Sequence, residues 1–158
     1  MGTHRTLSSK GLGFIQSWEK FRERRYRDQG GRLTIGWGHL IKPGEQFDEP
    51  MTAKEGRHVL AEDVAATELG LSGLCNDVDL TQEEFDAICS FAFNCGLGAF
   101  YHSTLCRLIK GGHFIDASGQ FPLWDHVGKK ESKGLENRRL AERDVFLGHP
   151  GPRYQEAA

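Results

Sequence analysis

No stretch of this chain is long and apolar enough to cross a membrane, and Met1 to Gln16 lacks the apolar core that a secretion signal needs. Membrane insertion is therefore not expected. A basic excess is missing too. Lys and Arg number 20 against 22 Asp and Glu, for a formal net charge of −2, which argues against a general nucleic-acid binder, since such proteins rely on a cationic surface. Metal-ligand spacing is also absent: Cys75, Cys89, Cys95 and Cys106 fit no zinc pattern, and His102 with Cys106 one helical turn away makes only two ligands. No metal and no cofactor is expected. Without a signal segment the four cysteines are expected as free thiols, with Cys89 and Cys95 acting as small hydrophobes among Phe85, Ile88, Phe91 and Phe93.

The charge that is present lies unevenly. Glu55, Glu62, Asp63, Glu68, Asp77, Asp79, Glu83, Glu84 and Asp86 crowd the middle, while arginines gather between Arg22 and Arg32 and again from Arg138 onward. An anionic polymer would be met at the ends of the chain; the alternative is that both clusters are solvated helix faces.

The stretch from Ser17 to His39 carries the densest chemistry. Phe14, Ile15, Trp18 and Phe21 recur at three- and four-residue steps, so Glu19 is placed at the end of a helix; after Arg25 the pattern alternates and breaks at Gly30-Gly31, as in a hairpin. A carboxyl at the negative end of a helix dipole, beside Trp18 and Phe21, is suited to holding a proton as a general acid. Asp28, between Arg27 and Arg32, is suited to staying ionised and to polarising a water that Thr34 helps to hold. A pair of carboxyls with opposed preferences suits cleavage of a glycosidic bond. Parity matters here. Side chains alternate faces along a strand, so Asp28 and Thr34 share a face only if the turn between them has an odd number of residues, and an odd turn is predicted.

Glu19, Asp28 and Thr34, with eight and then five residues between them, run into Thr34-Ile35-Gly36-Trp37-Gly38-His39. Further on come Phe93-Asn94-Cys95-Gly96-Leu97-Gly98-Ala99-Phe100 with Ser103-Thr104-Leu105, then Gly134-Leu135 with Arg138-Arg139 and Glu142. In this order the motifs resemble the phage-type lysozymes of glycoside hydrolase family 24, over nearly the whole chain. The resemblance implies an α+β, mostly helical lysozyme-like fold, with a small antiparallel β-hairpin lobe joined by a long helix to a helical lobe. It also implies a hydrolase, an inverting muramidase that cuts the β-1,4 bond between N-acetylmuramic acid and N-acetylglucosamine in bacterial peptidoglycan and so lyses the cell. In that reading Glu19 is the general acid, Asp28 and Thr34 position the water, and the protein is a monomer. It is made in the host cytoplasm and reaches the wall through a separate membrane pore. The stretch Val127-Gly128-Lys129 departs from the family, which often has paired glycines there.

The other segments are read around this site. Met1 to Leu7 is a loose start, and Ser8 or Ser9 caps the first helix. Thr52-Ala53-Lys54-Glu55 and Thr81-Gln82-Glu83-Glu84 have the form of capping boxes. The first opens a long helix with Val59, Leu60, Val64, Thr67 and Leu71 on one stripe, ending before Leu74; the second opens the most apolar helix of the chain. Ser103 can cap a short helix, Gly128 to Gly134 reads as an exposed loop, and a last helix over about Leu135 to Leu147 turns Leu135, Leu140 and Phe146 inward. The whole, 1–158, is expected as a single domain, its small lobe spanning about 14–58 and its helical lobe about 75–158 plus the first helix.

Candidate sugar contacts are Gly38, where backbone can pass close to a glycan, with Asn94, Ser103 and Arg138. Each has a structural alternative: a kinked strand for Gly38, helix-end hydrogen bonding for Asn94, capping for Ser103, and for Arg138 ion pairing with Glu136, Glu142 or Asp144, as for Arg139 and Arg143. Trp37 is expected to plug the core rather than stack on sugar, and His39 to be structural. Two other functions stay open, a non-catalytic wall-binding module of the same fold and a chitinase-like glycosidase.

Overall fold

The computed structural model describes residues 5–158. The first four residues of the expected loose start lie outside them, but the remainder of that start is tied down. The Arg5 guanidinium donates to the carbonyls of Leu80 (2.6 Å) and Val78 (3.0 Å), and its backbone N–H to Ser72 Oγ (2.7 Å).

Helix α1, Ser9–Trp18, begins at Ser8, whose hydroxyl accepts from the Gly11 N–H, and stops at Glu19, which turns to an extended conformation. Strand β1 (Arg22–Arg27) pairs antiparallel with β2 (Leu33–Gly36), and β2 with the two-residue β3 (His39–Leu40). The β1–β2 register places Arg27 opposite Leu33 and Tyr26 opposite Thr34, and the Asp28 N–H donates to the Arg32 carbonyl at 2.9 Å. The turn is therefore Gln29-Gly30-Gly31, three residues, with Gly31 in the left-handed region at φ 77°. The odd count puts Tyr26, Asp28, Arg32 and Thr34 on one face.

Helix α2 (Ala53–Leu74) is capped by the Thr52 hydroxyl on the Glu55 N–H, and buries Val59, Leu60, Val64, Thr67 and Leu71, the stripe expected from spacing. Its 22 residues rise roughly 33 Å, and it packs against β2 and β3 as well as α3. Helix α3 (Gln82–Cys95) opens with a complete capping box between Thr81 and Glu84 and buries Phe85, Ala87, Ile88, Cys89, Phe91 and Ala92. At roughly 1.5–3 kcal/mol for each large side chain taken from water, this helix anchors the main core. Short helices α4 (Leu97–Tyr101), α5 (Thr104–Lys110) and α6 (Phe114–Ser118) and a 3-10 turn (Phe121–Leu123) cover it. The expected loop before the last helix is instead an exposed hairpin, β4 (His126–Val127) with β5 (Lys130–Glu131).

Helix α7 runs Lys133–Phe146 from a Ser132 cap, two residues earlier than expected. Its inner face also differs. Leu135 and Leu140 are only half-buried, while Arg138, Arg139 and Glu142 are buried beside Val145 and Phe146. The charged residues fall at i, i+1 and i+4 on the side that packs against α3, and they can stay there because the two arginines are paired with Glu142 and, outside the helix, with Glu19. The fold is α+β: one helical core around α3, a smaller cluster of Ile35, Met51 and Val59 under the sheet, and Ile15, Leu60 and Val64 between α1 and α2.

Trp37 lies in the turn between β2 and β3 rather than within a strand, yet it serves the core as expected. Its ring meets Phe21 at 4.4 Å, and both rings lie against Gly56 of α2, where an added Cβ would approach them within 2.8–3.0 Å.

Candidate active site

Glu19, Tyr26, Asp28, Arg32, Thr34 and Gly38 line one cleft of about 410 Å³, closed on the helical side by Phe93 and Asn94. A second recess of about 370 Å³ holds Trp18, Gln29, Ser132, Leu135 and Arg138, and Glu19 and Asn94 line both. Glu19 thus stands at the seam between two recesses, where a chain polymer lying through both would present an internal bond. Each element contributes one feature. The end of α1 supplies Glu19, the turn of the hairpin Asp28, strand β2 Thr34, and the end of α3 Asn94.

The Glu19 carboxyl is one-fifth exposed, and its Oε1 accepts from Arg138 Nη1 at 3.1 Å. Its Oε2 is turned toward Gly38, where a Cβ would stand 3.3 Å away; Gly38, at φ 77°, leaves that oxygen room. Arg138 beside this carboxyl is not expected from the helix dipole alone. The signal was present in the sequence, since Arg138 lies four residues before Glu142 and one turn of helix aligns them, but only the packing of α7 on α3 carries Arg138 to α1.

Behind Glu19 is a buried ionic cluster. Arg138 also reaches Glu142 Oε2 (3.3 Å) and the Ser90 hydroxyl and carbonyl (3.3 and 3.4 Å). Arg139 Nε lies 2.6 Å from Glu142 Oε1, too misaligned for a hydrogen bond, while its Nη2 donates to Glu142 Oε2 (3.0 Å) and Asn94 Oδ1 (2.9 Å) and its Nη1 to Cys95 Sγ (2.7 Å). Ser90 donates to Glu142 at 2.6 Å. Breaking into such a cluster leaves an uncompensated buried charge.

Asp28 is held by three hydrogen bonds and an ion pair. Oδ1 accepts from the backbone N–H of Gly30 and of Arg32, both at 2.9 Å, and Oδ2 accepts from Arg32 Nε (3.0 Å), with Arg32 Nη2 ion-paired to it at 2.9 Å. The Arg32 backbone N–H is the strongest influence on its acidity; with the Arg32 guanidinium and the Gly30 N–H it outweighs burial and holds the carboxyl below the usual carboxylate range. Asp28 is therefore ionised at neutral pH, as the sequence suggested. Thr34 is buried, and its hydroxyl donates to the Arg32 carbonyl at 2.9 Å, so its oxygen is left to accept.

Of the expected sugar contacts, Gly38 and Asn94 line the cleft and Arg138 the second recess. Arg138 is nevertheless committed to Glu19 and Glu142. Ser103 stands apart from them. It lines neither recess, and its hydroxyl is used twice within α5 capping, accepting from the Cys106 N–H (3.0 Å) and donating to the Phe100 carbonyl (2.6 Å). His39 lies on the cleft wall with both ring nitrogens on carboxylates, Nδ1 on Asp63 (2.9 Å) and Nε2 on Glu45 (3.0 Å). Burial, the largest single influence, pulls its pKa down, but the two carboxylates together outweigh it and raise the value above 6.5. It stitches β3 to α2 and to the following loop. All four cysteines are free; burial pushes each thiol up, Cys75 to about 11.

The phage lysozyme family model matches residues 16–142. The endolysin of Bacillus phage B103 is 36% identical over 146 residues, covering 89% of this chain but 54% of that protein, so the chain spans about half the length of this relative. The endolysin of Salmonella phage P22 is 36% identical over 144 residues, covering 89% of this chain and 97% of that one. Among solved structures, the endolysin of Escherichia coli O157:H7 phage FAHEc1 superposes with a TM-score of 0.84 at 31% identity, over 96% of this chain and 99% of its own. Sequence and backbone agree along the same span as the cleft and its helices: the chain belongs to the phage lysozyme family.

Proposed function

We propose that the protein is a peptidoglycan-degrading muramidase of host lysis, a glycoside hydrolase in which Glu19 is the general acid and Asp28 with Thr34 directs the water. The observation that carries this is the meeting of Glu19, Asp28 and Thr34 on one cleft, with Glu19 at the seam of two recesses. Glu19 Oε2, the oxygen that Arg138 does not bond, faces the open Gly38 side and is the one that protonates the leaving oxygen. Water attacks from the hairpin side, which inverts the anomeric centre. The Thr34 oxygen accepts a hydrogen bond from that water and fixes its approach. Asp28 withdraws the proton after Arg32 swings aside. Arg32 is two-thirds exposed, and solvent screens an ion pair at such a surface, so the motion is easily made.

The chain works as a single lysozyme-like domain and a monomer, needs no cofactor, and contacts sugar through Gly38 and Asn94. No helix among the described residues is long and apolar enough to cross a membrane, and access to the wall falls to a separate pore. The test is mass analysis of digested peptidoglycan with wild type and Glu19→Gln. Fragments ending in reducing N-acetylmuramic acid, initially in the inverted anomeric form, are expected from wild type and none from the variant, whose amide keeps shape but has no proton to give. Fragments ending in N-acetylglucosamine, or digestion of chitin at a comparable rate, would move the assignment to the chitinase-like reading; binding to walls without any fragments would move it to the binding module.

A further inference from the structure

Beyond α7 the chain does not trail away. Residues 151–158 return to α1 and lie along its last turns. The contact is close enough to require glycine, because a Cβ on Gly13 would stand 2.0 Å from the Gln155 carbonyl oxygen and 2.8 Å from the Ala157 nitrogen. The three residues before Glu19 are then each held in turn. The Ala158 N–H donates to Gln16 Oε1 at 3.1 Å, Arg153 Nη1 donates to the Ser17 carbonyl at 2.7 Å, and the Arg153 guanidinium lies 3.9 Å over the Trp18 ring. Ser17 O is one of the terminal helix carbonyls that have no partner within the helix, and a cation there also meets the negative end of the dipole. Farther along, Tyr154 anchors the segment through its hydroxyl on Asp86 Oδ2 (2.6 Å), with its ring edge-on to Phe14.

A recess of about 280 Å³ lined by Phe14, Leu140, Ala141, Pro152 and Arg153 separates this segment from α7. Its hold on the end of α1 therefore runs through Arg153 on Ser17 and Trp18 and through the Ala158 N–H on Gln16 rather than through packing on α7. Trp18 lines the same recess as Glu19. The Glu19 carboxyl is pinned from one side by Arg138, and the turn of backbone that carries it is pinned from the other by Arg153.

We infer that the 151–158 segment is a strap that sets where Glu19 stands, with Arg153 as a positioning residue for the glycosidic cleavage. The inference rests on the reading of Glu19 as the acid. Misplacing an acid by a fraction of an ångström lowers the chemical step and leaves sugar binding nearly untouched.

The experiment measures kcat, KM and Tm on soluble peptidoglycan fragments for Arg153→Ala, Arg153→Lys, Tyr154→Phe and Glu19→Gln. Tyr154→Phe removes the hydroxyl bond to Asp86 but leaves the contacts of Arg153 with Ser17 and Trp18 in place, and so reports what loss of stability alone does. The expected result is a kcat lowered about tenfold in Arg153→Ala with KM within about twofold, recovery to within about threefold in Arg153→Lys, and a Tyr154→Phe enzyme that loses at least as much Tm while keeping kcat within about twofold. A kcat that follows Tm equally through Arg153→Ala and Tyr154→Phe, or an Arg153→Ala enzyme with unchanged kcat, overturns the strap while an inactive Glu19→Gln leaves the acid in place. An active Glu19→Gln overturns both.

Discussion

Arg138 and Glu19, 119 residues apart, meet at 3.1 Å, and the same guanidinium reaches Glu142 at 3.3 Å. Arg138 is 4% exposed and Glu142 fully buried, so the Glu19 carboxyl is wired to the inside of the helical core. Arg138→Ala is expected to cost about 3 kcal/mol, because Glu19 then loses its cation and Glu142 one of its two. For a chain of this size that is a fall in Tm of roughly 6–12 °C, read by calorimetry, together with a loss of activity larger than the lost stability explains. An alanine variant with wild-type Tm would show that the cluster contributes nothing net.

Arg32 covers the Asp28 carboxylate in the proposed resting site. Arg32→Ala removes the guanidinium but keeps the backbone N–H that dominates the lowering of Asp28. With one cation gone, the Asp28 pKa rises, so the acid limb of the kcat/KM profile is expected to move to higher pH while activity near neutrality holds or increases. A limb that stays in place would mean that Asp28 does not titrate in the reaction.

The three-residue turn sets the faces of the hairpin. Deleting Gly30 leaves a two-residue turn, which turns Asp28 and Thr34 to opposite faces. Activity should fall by about a hundredfold or more. Because the turn is exposed, Tm should change far less than in Arg138→Ala. If the deletion variant keeps its activity, Asp28 and Thr34 do not act on one water.

His39 predicts a pH dependence of stability. Its folded pKa is raised above 6.5, so its contribution is fully present below 6.5 and is lost as pH rises through the folded value. The Tm gap between wild type and His39→Asn should be widest near about pH 5.5 and narrow toward about pH 9. A gap that widens with pH would assign the opposite sign to the Asp63 and Glu45 contacts.

Much of this was legible in the residues alone because it depends on neighbours along the chain. The caps at Ser8, Thr52 and Thr81, the apolar stripe of α2, the apolar α3 and the end of α1 at Glu19 all follow from spacing and local hydrogen bonding, whereas the odd hairpin turn was expected only from the need to put Asp28 and Thr34 on one face. The motif order likewise pointed to Glu19, Asp28 and Thr34 before any of them could be placed. What tertiary structure alone decided involves partners far apart in sequence. Periodicity marked α7 as helical but assigned Leu135 and Leu140 to its inner face, since a pattern of apolar residues cannot show that Arg138, Arg139 and Glu142 will be buried together once Ser90 and Asn94 complete their bonds. Ser103 suited both a cap and a sugar contact, and only the tertiary structure shows that its hydroxyl is spent on capping and that it is not among the residues lining the two recesses. The return of residues 151–158 onto Gly13 left no signal in pattern at all, because a glycine that admits another backbone reads, in one dimension, the same as a glycine that merely weakens a helix.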